Sequence, residues 1–346
     1  MLAAVYHGVG DLRLEDVEEP VIQPGHVKLR VAYNGLCGTD LHELFDSQRA
    51  IPSEPHPLTG AMAPLVLGHE IGGTVVELGE GVRDVEPGSL VALEPLRTCG
   101  VCTWCRSGDR NLCDVLAFHG LSTGGGGLAE FTVVPTEMLH VVPEGISARH
   151  AAMAEPLAVA WHAVNRSGLT SGHLAAVFGG GPIGMGIYLT LRLRGIDAVV
   201  VEPSKTRRDV ARRLGADVID PADGPVDKQL RELVGEGGVR GCFETSANVA
   251  SLEAAIGATS KHGTVMLLAS PRQPLPPILG VALAKELEVR TTYGYRGDFP
   301  AVLGAIATGA YRIDEWTVTA GLTEINEVLT ELRAGRMLKV LIDPGS

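Results

Sequence analysis

The sequence predicts an α/β protein in two parts. One is a β-rich domain formed by residues 1–150 together with 295–346; the other is a doubly wound parallel sheet over 151–294. Three observations carry this expectation. Residues 1–35 alternate apolar and polar side chains between short turns, as in Val27-Lys28-Leu29-Arg30-Val31, the period of half-buried antiparallel strands. From Leu174 onward, short apolar runs alternate with helical stretches, the pattern of βαβ units on a parallel sheet. A glycine-rich turn, Gly179 to Gly184, stands where the first of those strands meets the first of those helices.

In chain order, the opening strands are followed by His42 to Pro64, a stretch rich in Pro, Ser and Thr that reads as an irregular surface loop. Gly72 to Leu93 returns to strand character, with a turn at Glu86-Pro87-Gly88. Ala151 to Ser167 is alanine-rich and helical despite Pro156 near its start. Next come a strand at 174–178, a helix at 183–194, a strand at 197–201 and a helix at about 204–214. Further alternation runs to about Tyr293. Helices around 300–308 and 322–334 and a strand at 338–342 close the chain and return it to the first domain. Neither internal repeats nor low-complexity segments occur.

A chain of 346 residues holds about two domains. Its net charge of −12, with no long basic cluster, argues against nucleic acid and against an anionic membrane surface as partners. The uncharged run Leu174–Leu191 is long enough to raise the membrane question. Its five glycines and Pro182 make it a strand–turn–helix junction instead. The start of the chain lacks a basic region ahead of an apolar one, so a cytoplasmic protein is expected. Of six cysteines, four crowd into the fifteen residues from Cys99 to Cys113. In a cytoplasmic chain such crowding reads as metal binding rather than disulfides.

Gly35-Leu36-Cys37-Gly38-Thr39-Asp40-Leu41-His42 places a thiol, a hydroxyl, a carboxylate and an imidazole within six residues. Gly68-His69-Glu70 and Glu155 lie downstream. Thiolate, imidazole and carboxylate are the ligand types of an open catalytic zinc site. The expectation is that Cys37, His69 and one of Glu70 and Glu155 meet on one ion. Cys99-x-x-Cys102-x-x-Cys105-x7-Cys113 has the spacing of a closed, structural tetrahedron of thiolates. An iron–sulfur cluster is the weaker rival, because no Cys-Pro follows and the surroundings are β-rich. Cys242 reads as an ordinary core residue.

Gly179, Gly181 and Gly184 supply G-x-G-x-x-G, with Pro182 and Ile183 opening the helix and Glu202 ending the next strand. These glycines admit a dinucleotide pyrophosphate to the helix N-terminus. Glu202 is placed to accept from the ribose hydroxyls and repels a 2′-phosphate, so NAD is expected over NADP. Lys205, Arg207 and Arg208 follow. Their ordinary reading is a solvated basic face, with Arg207 kept as a candidate cofactor contact.

Taken together, these motifs resemble the zinc-dependent medium-chain alcohol dehydrogenases, along essentially the whole chain and in the right order. Ser53-Glu-Pro-His-Pro-Leu-Thr-Gly60 and Glu155-Pro-Leu-Ala-Val-Ala-Trp-His162 are most similar to the 2,3-butanediol dehydrogenase branch. Sorbitol and threonine dehydrogenases are similar but less close. The resemblance implies a GroES-like catalytic domain and a Rossmann domain. It implies two zinc ions per chain, one catalytic and one structural, and a small-molecule alcohol or ketone as substrate. It also implies a homodimer or homotetramer whose Rossmann sheets pair at their edges near Glu288–Tyr293. The catalytic ligands carried over are Cys37, His69 and Glu70 or Glu155; the family's simple alcohol dehydrogenases have a cysteine at the last position. Thr39 and His42 are implied as the proton relay, and Asp40 as the group that orients a ligating histidine. His56 and His119 fit the substrate pocket or surface loops equally well, and Tyr293–Arg296 are placed beside the nicotinamide. A non-enzymatic relative that kept only nucleotide binding would be expected to lack Cys37, His69 or Glu155. All three are present.

Overall fold

The computed structural model describes residues 1–47, 50–235, 238–269, 274 and 279–346. The chain forms two compact units. The first comprises Met1–Glu155, Arg296–Gly309 and Trp316–Ser346; the second comprises Pro156–Tyr295 and Ala310–Glu315.

In chain order, the first unit begins with β1 (Leu2–Gly8), β2 (Asp11–Asp16), β3 (His26–Gly35), α1 (Gly38–Phe45), β4 (Leu65–Val66), β5 (Glu70–Leu78) and β6 (Leu90–Leu93). It continues with β7 (Leu96–Arg97), α2 (Thr103–Arg106), β8 (Ala117–Phe118), β9 (Phe131–Pro135), β10 (Leu139–Val141) and α3 (Ala148–Ala152). Helix α4 (Ala154–Ser167) leads out of it. The main sheet has seven strands. Its order is β10-β6-β5-β3, continued by the two C-terminal strands, with β9 also on β3. The alternation read in β3 is real. Val27, Leu29 and Val31 are buried while Arg30 is exposed, and the buried set joins Ile71, Val91 and Val134 in one core.

Helix α1 corrects the expected loop from His42 to Pro64, since residues 42–45 are helical. Leu44, with Leu41 and Phe45, packs on the apolar core below it. The Asp40 carboxylate at the third helical position accepts the Cys37 N–H at 2.9 Å, a first-turn carboxylate–backbone bond of the kind that fixes a helix start. Residues 48 and 49 of that stretch lie outside the described residues.

The second unit contains most of α4, then β11 (Leu174–Phe178), α5 (Pro182–Leu193), β12 (Asp197–Val201), α6 (Lys205–Arg213), β13 (Asp217–Ile219), α7 (Val226–Val234) and β14 (Val239–Glu244). It ends with α8 (Val249–Ala258), β15 (Thr259–Leu267), α9 (Leu279–Ala284) and β16 (Glu288–Thr291). All six strands are parallel, in the order β13-β12-β11-β14-β15-β16. This is a doubly wound order whose direction reverses between β11 and β14, where nucleotides bind at the strands' carboxyl ends. Residues 310–315 rejoin this unit: the Tyr311 hydroxyl bonds Thr190 at 2.9 Å, and Arg312 donates to the Arg213 carbonyl at 3.1 Å.

The chain finishes in the first unit with α10 (Phe299–Ala307), β17 (Val318–Gly321), α11 (Ile325–Arg333) and β18 (Val340–Asp343). Strand β17 was not expected. It is short and half exposed, so it carries no clear alternation, and it exists by parallel pairing with β18. Among the described residues, no helix is long and apolar enough to cross a membrane.

Candidate metal and nucleotide sites

Three side chains from two separate stretches converge in the first unit. Cys37 precedes α1, His69 precedes β5, and Glu70 opens β5. Each offers a ligand atom, and these atoms all lie within 4.8 Å of one another. Strand pairing brings them together, because Gly35 sits opposite Glu70 in the β3–β5 register. A side chain at position 35 would collide with the carboxylate, its Cβ falling 1.9 Å from Glu70 Oε2. A side chain there would displace the Glu70 carboxylate from its place beside His69 and Cys37.

The site's electrostatics favour a cation. His69 is buried, and burial by itself opposes its charging. Asp40, Cys37 and Glu155 outweigh that and hold its proton affinity well above the usual imidazole range. Burial, in turn, raises the Asp40 carboxyl. His69 Nδ1 and Asp40 Oδ1 stand 3.6 Å apart, each buried with no hydrogen-bond partner among the described residues. A buried imidazole and carboxylate left in this state fit a ligating histidine backed by its orienting carboxylate. The donor set of one thiol, one imidazole and one carboxylate fits zinc. Glu155, in the first turn of α4, is buried. It acts on His69 electrostatically but stands outside the mutually close set.

Sequence reasoning missed Lys339. It is fully buried, and its Nζ donates to the Leu36 carbonyl at 2.8 Å and to Glu70 Oε2. A lone lysine one residue before a terminal strand carries no signal in sequence, because its partner lies 269 positions away.

Thr39 and His42 both fall on α1. The Cys37 thiol donates to Thr39 Oγ1 at 3.6 Å. The His42 side chain is 59% exposed, and its Nδ1 pairs with Asp46 at 2.8 Å. Spaced three apart on a helix, the two residues share a face. His56 is half-buried in its loop, with ring contacts to Leu116 O and Leu58 N at 3.2 Å. His119 is buried, so a surface-loop reading does not apply to it.

The four remaining metal-site cysteines form a second group. Cys99, Cys102, Cys105 and Cys113 offer sulfurs that also lie within 4.8 Å of one another. Backbone N–H groups point at them: Cys99 N to Cys113 Sγ and Cys102 N to Cys99 Sγ at 3.4 Å, and Cys105 N to Cys102 Sγ at 3.5 Å. Donors from Asp114 and Cys105 pull the Cys102 thiol down to about 6. The Cys99–Cys105 sulfur separation is 3.9 Å. A zinc tetrahedron with bonds of about 2.3 Å needs an edge of about 3.8 Å. Cys242 lies fully buried in β14, as an ordinary core residue.

In the second unit the glycine turn leaves β11 and enters α5, with Gly181 capping the helix and Pro182 at its start. A side chain at position 184 would place its Cβ 1.8 Å from the Gly179 carbonyl, so the helix closes on the strand only with glycine. Ile183 follows in the first turn. Glu202 is buried, and its two oxygens accept from Gly180 N at 2.5 Å and Ser204 N at 2.7 Å. Arg207 is half-buried over the turn, and its Nε has no hydrogen-bond partner among the described residues. Arg208 departs from the solvated face read for it. It folds back onto Asp220 at 2.5 Å and onto the Glu202 carbonyl at 2.9 Å. Glu244, also unforeseen, ends β14 wholly buried and accepts from Ser246 N at 2.9 Å and Ala247 N at 3.3 Å. It thereby fixes the loop across the sheet's reversal point. Tyr293 is exposed, while Arg296 pairs with Asp109 in the first unit.

Comparison with known proteins agrees with this geometry. Residues 23–144 match the alcohol dehydrogenase GroES-like domain and residues 182–308 the zinc-binding dehydrogenase domain. The (R,R)-butanediol dehydrogenase of Bacillus subtilis is 38% identical over 318 residues, covering 91% of this chain and 90% of that one. The chain belongs to the zinc-dependent alcohol dehydrogenase family. Its structure superposes on 2R,3R-butanediol dehydrogenase from Bacillus subtilis with a TM-score of 0.94 and 36% identity, covering 99% of each chain. A Sinorhizobium meliloti protein described as a zinc-binding dehydrogenase and bound to NADP superposes with a TM-score of 0.90 and 30% identity, again over 99% of each chain. The protein is thus a dehydrogenase with a GroES-like part and a Rossmann part, using zinc and a pyridine nucleotide on a small-molecule alcohol.

Proposed function

We propose that the protein interconverts a vicinal diol and its hydroxyketone, with 2,3-butanediol and acetoin as the working pair and NAD as the hydride carrier. The carrying observation is the convergence of half-buried Cys37 with buried His69 and Glu70, with buried Glu155 bearing on His69, in a chain so similar to butanediol dehydrogenases. Oxidation takes a hydride and a proton from the carbinol. When bound, zinc supplies Lewis acidity to the substrate oxygen and the nicotinamide accepts the hydride. Cys37 and His69, with Glu70 or Glu155, hold the catalytic ion; Cys99, Cys102, Cys105 and Cys113 hold the structural one. Asp40 orients the His69 ring. Thr39 accepts a hydrogen bond from the substrate hydroxyl and gives up its own hydroxyl proton as it takes the substrate's; exposed His42, on the same helix face, passes that released proton to solvent. Gly179, Gly181, Pro182, Ile183 and Gly184 seat the pyrophosphate, with Glu202 and Arg207 beside the ribose. Six unpaired cysteines support placing the protein in the cytoplasm.

A site whose buried polar groups bond a second substrate oxygen penalises analogues that lack it. The diol should therefore be used at least about tenfold more efficiently than 2-butanol, roughly 1.4 kcal/mol in the transition state. Equal kcat/KM for the two compounds would sink the diol reading, and efficient sorbitol turnover with none of butanediol would move the protein to the polyol branch.

Cofactor choice rests on Glu202. NAD should be preferred over NADP, Glu202→Gln should narrow that preference, and Arg207→Leu should weaken NADP more than NAD. A wild-type kcat/KM higher with NADP would show that Arg207 outweighs Glu202.

Oligomerisation rests on β16, the last strand of the parallel sheet. It exposes Val289, with Leu283 (81% exposed) and Tyr293 (56%) nearby in sequence. An uncovered edge with apolar side chains is a template for pairing, and we assign it to a second copy of the chain. Light scattering should give a multiple of 36.3 kDa for the wild type and a smaller species for Val289→Lys. A wild-type monomer would refute this assignment.

A further inference from the structure

In the first unit, half-buried Arg97 carries a guanidinium that no described residue neutralises. Arg97 ends β7, directly opposite Ala117 of β8. His119 lies two residues further on, its N–H donating to the Pro95 carbonyl at 2.9 Å. Side chains two apart on a strand share a face, so Arg97, Pro95, Ala117 and His119 line one side of this ribbon. Beyond His119, Gly120 presses on Gly68, the residue before His69. A Cβ at 120 would lie 2.0 Å from the Gly68 carbonyl oxygen. One short wall therefore runs from Arg97 past His119 to the backbone that carries His69.

The charges along this wall do not balance. His119 offers no anion: burial first, then Arg97 and His69, hold its imidazole neutral, down to about 3. Its nitrogens are occupied by Thr132 Oγ1 at 2.7 Å and Thr123 Oγ1 at 3.1 Å. Glu155 bears on His69, and four further acidic groups of this part of the unit are committed elsewhere. Glu70 holds Lys339, Asp40 takes the Cys37 N–H and faces His69, Glu94 pairs with His140 at 2.7 Å, and Asp109 pairs with Arg296. Among the described residues, the half-buried Arg97 side chain has no hydrogen-bond or ion-pair partner. A planar guanidinium left this way is matched by a carboxylate, which it binds through two parallel bonds.

We propose that Arg97 receives a carboxylate on the substrate, so that the site's substrate class includes hydroxy acids, in which the secondary alcohol to be oxidised is joined to a carboxylate-bearing carbon. This rests on the diol reading for the reacting end. The carbinol still loses its hydride to the nicotinamide and its proton through the Thr39–His42 relay to solvent, and the carboxylate passes through unchanged.

The test uses two compounds that differ only at one end, 2,3-butanediol and 2,3-dihydroxybutanoate, with the full-length zinc-loaded enzyme and NAD. The wild type should use the acid at least as efficiently as the diol. Arg97→Gln should lower the acid-to-diol ratio of kcat/KM at least tenfold, chiefly through KM for the acid. It should weaken competitive inhibition by butanoate to a similar extent. Arg97→Lys, which keeps the charge, should recover part of both losses. Turnover of the diol but not the acid, or an unchanged ratio in Arg97→Gln, would overturn the role of Arg97 while leaving the diol reading intact. Turnover of neither compound would overturn both.

Discussion

Replacing Lys339 by methionine should lower the stability of the protein by about 3–5 kcal/mol, the usual cost of removing one partner from a buried ion pair. The ammonium and the Glu70 carboxylate are each 1% exposed, so neither is compensated by water. Methionine fills much of the same volume but cannot bond the carboxylate or the Leu36 carbonyl, and the buried Glu70 charge loses its ammonium partner. Chemical denaturation of the metal-loaded protein measures the loss. Adding Glu70→Gln to the Lys339→Met chain should restore part of it, because the stranded charge is then gone, and the two substitutions should couple strongly. A Lys339→Met protein within 1 kcal/mol of wild type, or strict additivity, would contradict a buried pair. The same contact bears on metal binding: with one carboxylate oxygen held by Lys339, only the other is free for a cation.

How far the sequence revealed this depends on the range of each interaction. The parallel sheet was legible because each strand and helix is a local run with its own period. The expected strand at 174–178 and the turn after it coincide with β11 and the entry to α5. Cysteine spacing was legible for the same reason, since four ligands within fifteen residues report one another. Helix α1 was partly hidden because Pro and Ser further along outvote its short apolar face, whereas a packing surface under Leu44 decides the matter. Lys339, Arg97 and Glu244 were invisible. What makes each notable is a partner, or the lack of one, that only the folded chain defines. A half-buried arginine without a carboxylate looks in sequence like any solvated arginine.

The largest functional effect is expected from Cys37→Ser. Serine keeps a hydroxyl ahead of α1, so the helix start and the Asp40 bond to residue 37 should persist and the protein should fold. What is lost is a soft thiolate. A serine hydroxyl stays neutral and is a poor zinc ligand, and the open site then has too few protein donors to hold the ion. Turnover should fall at least about a thousandfold, some 4 kcal/mol in the barrier. Elemental analysis should show two zinc ions per wild-type chain and one per Cys37→Ser chain, with nearly unchanged thermal unfolding. Cys102→Ser should do the converse, lowering the unfolding temperature by breaking the closed tetrahedron of thiolates. A chelator should strip the ion at Cys37 first, because that site keeps a position open to solvent. One zinc per fully active wild-type chain would refute the two-site assignment, and wild-type turnover in Cys37→Ser would remove Cys37 from the catalytic ligands.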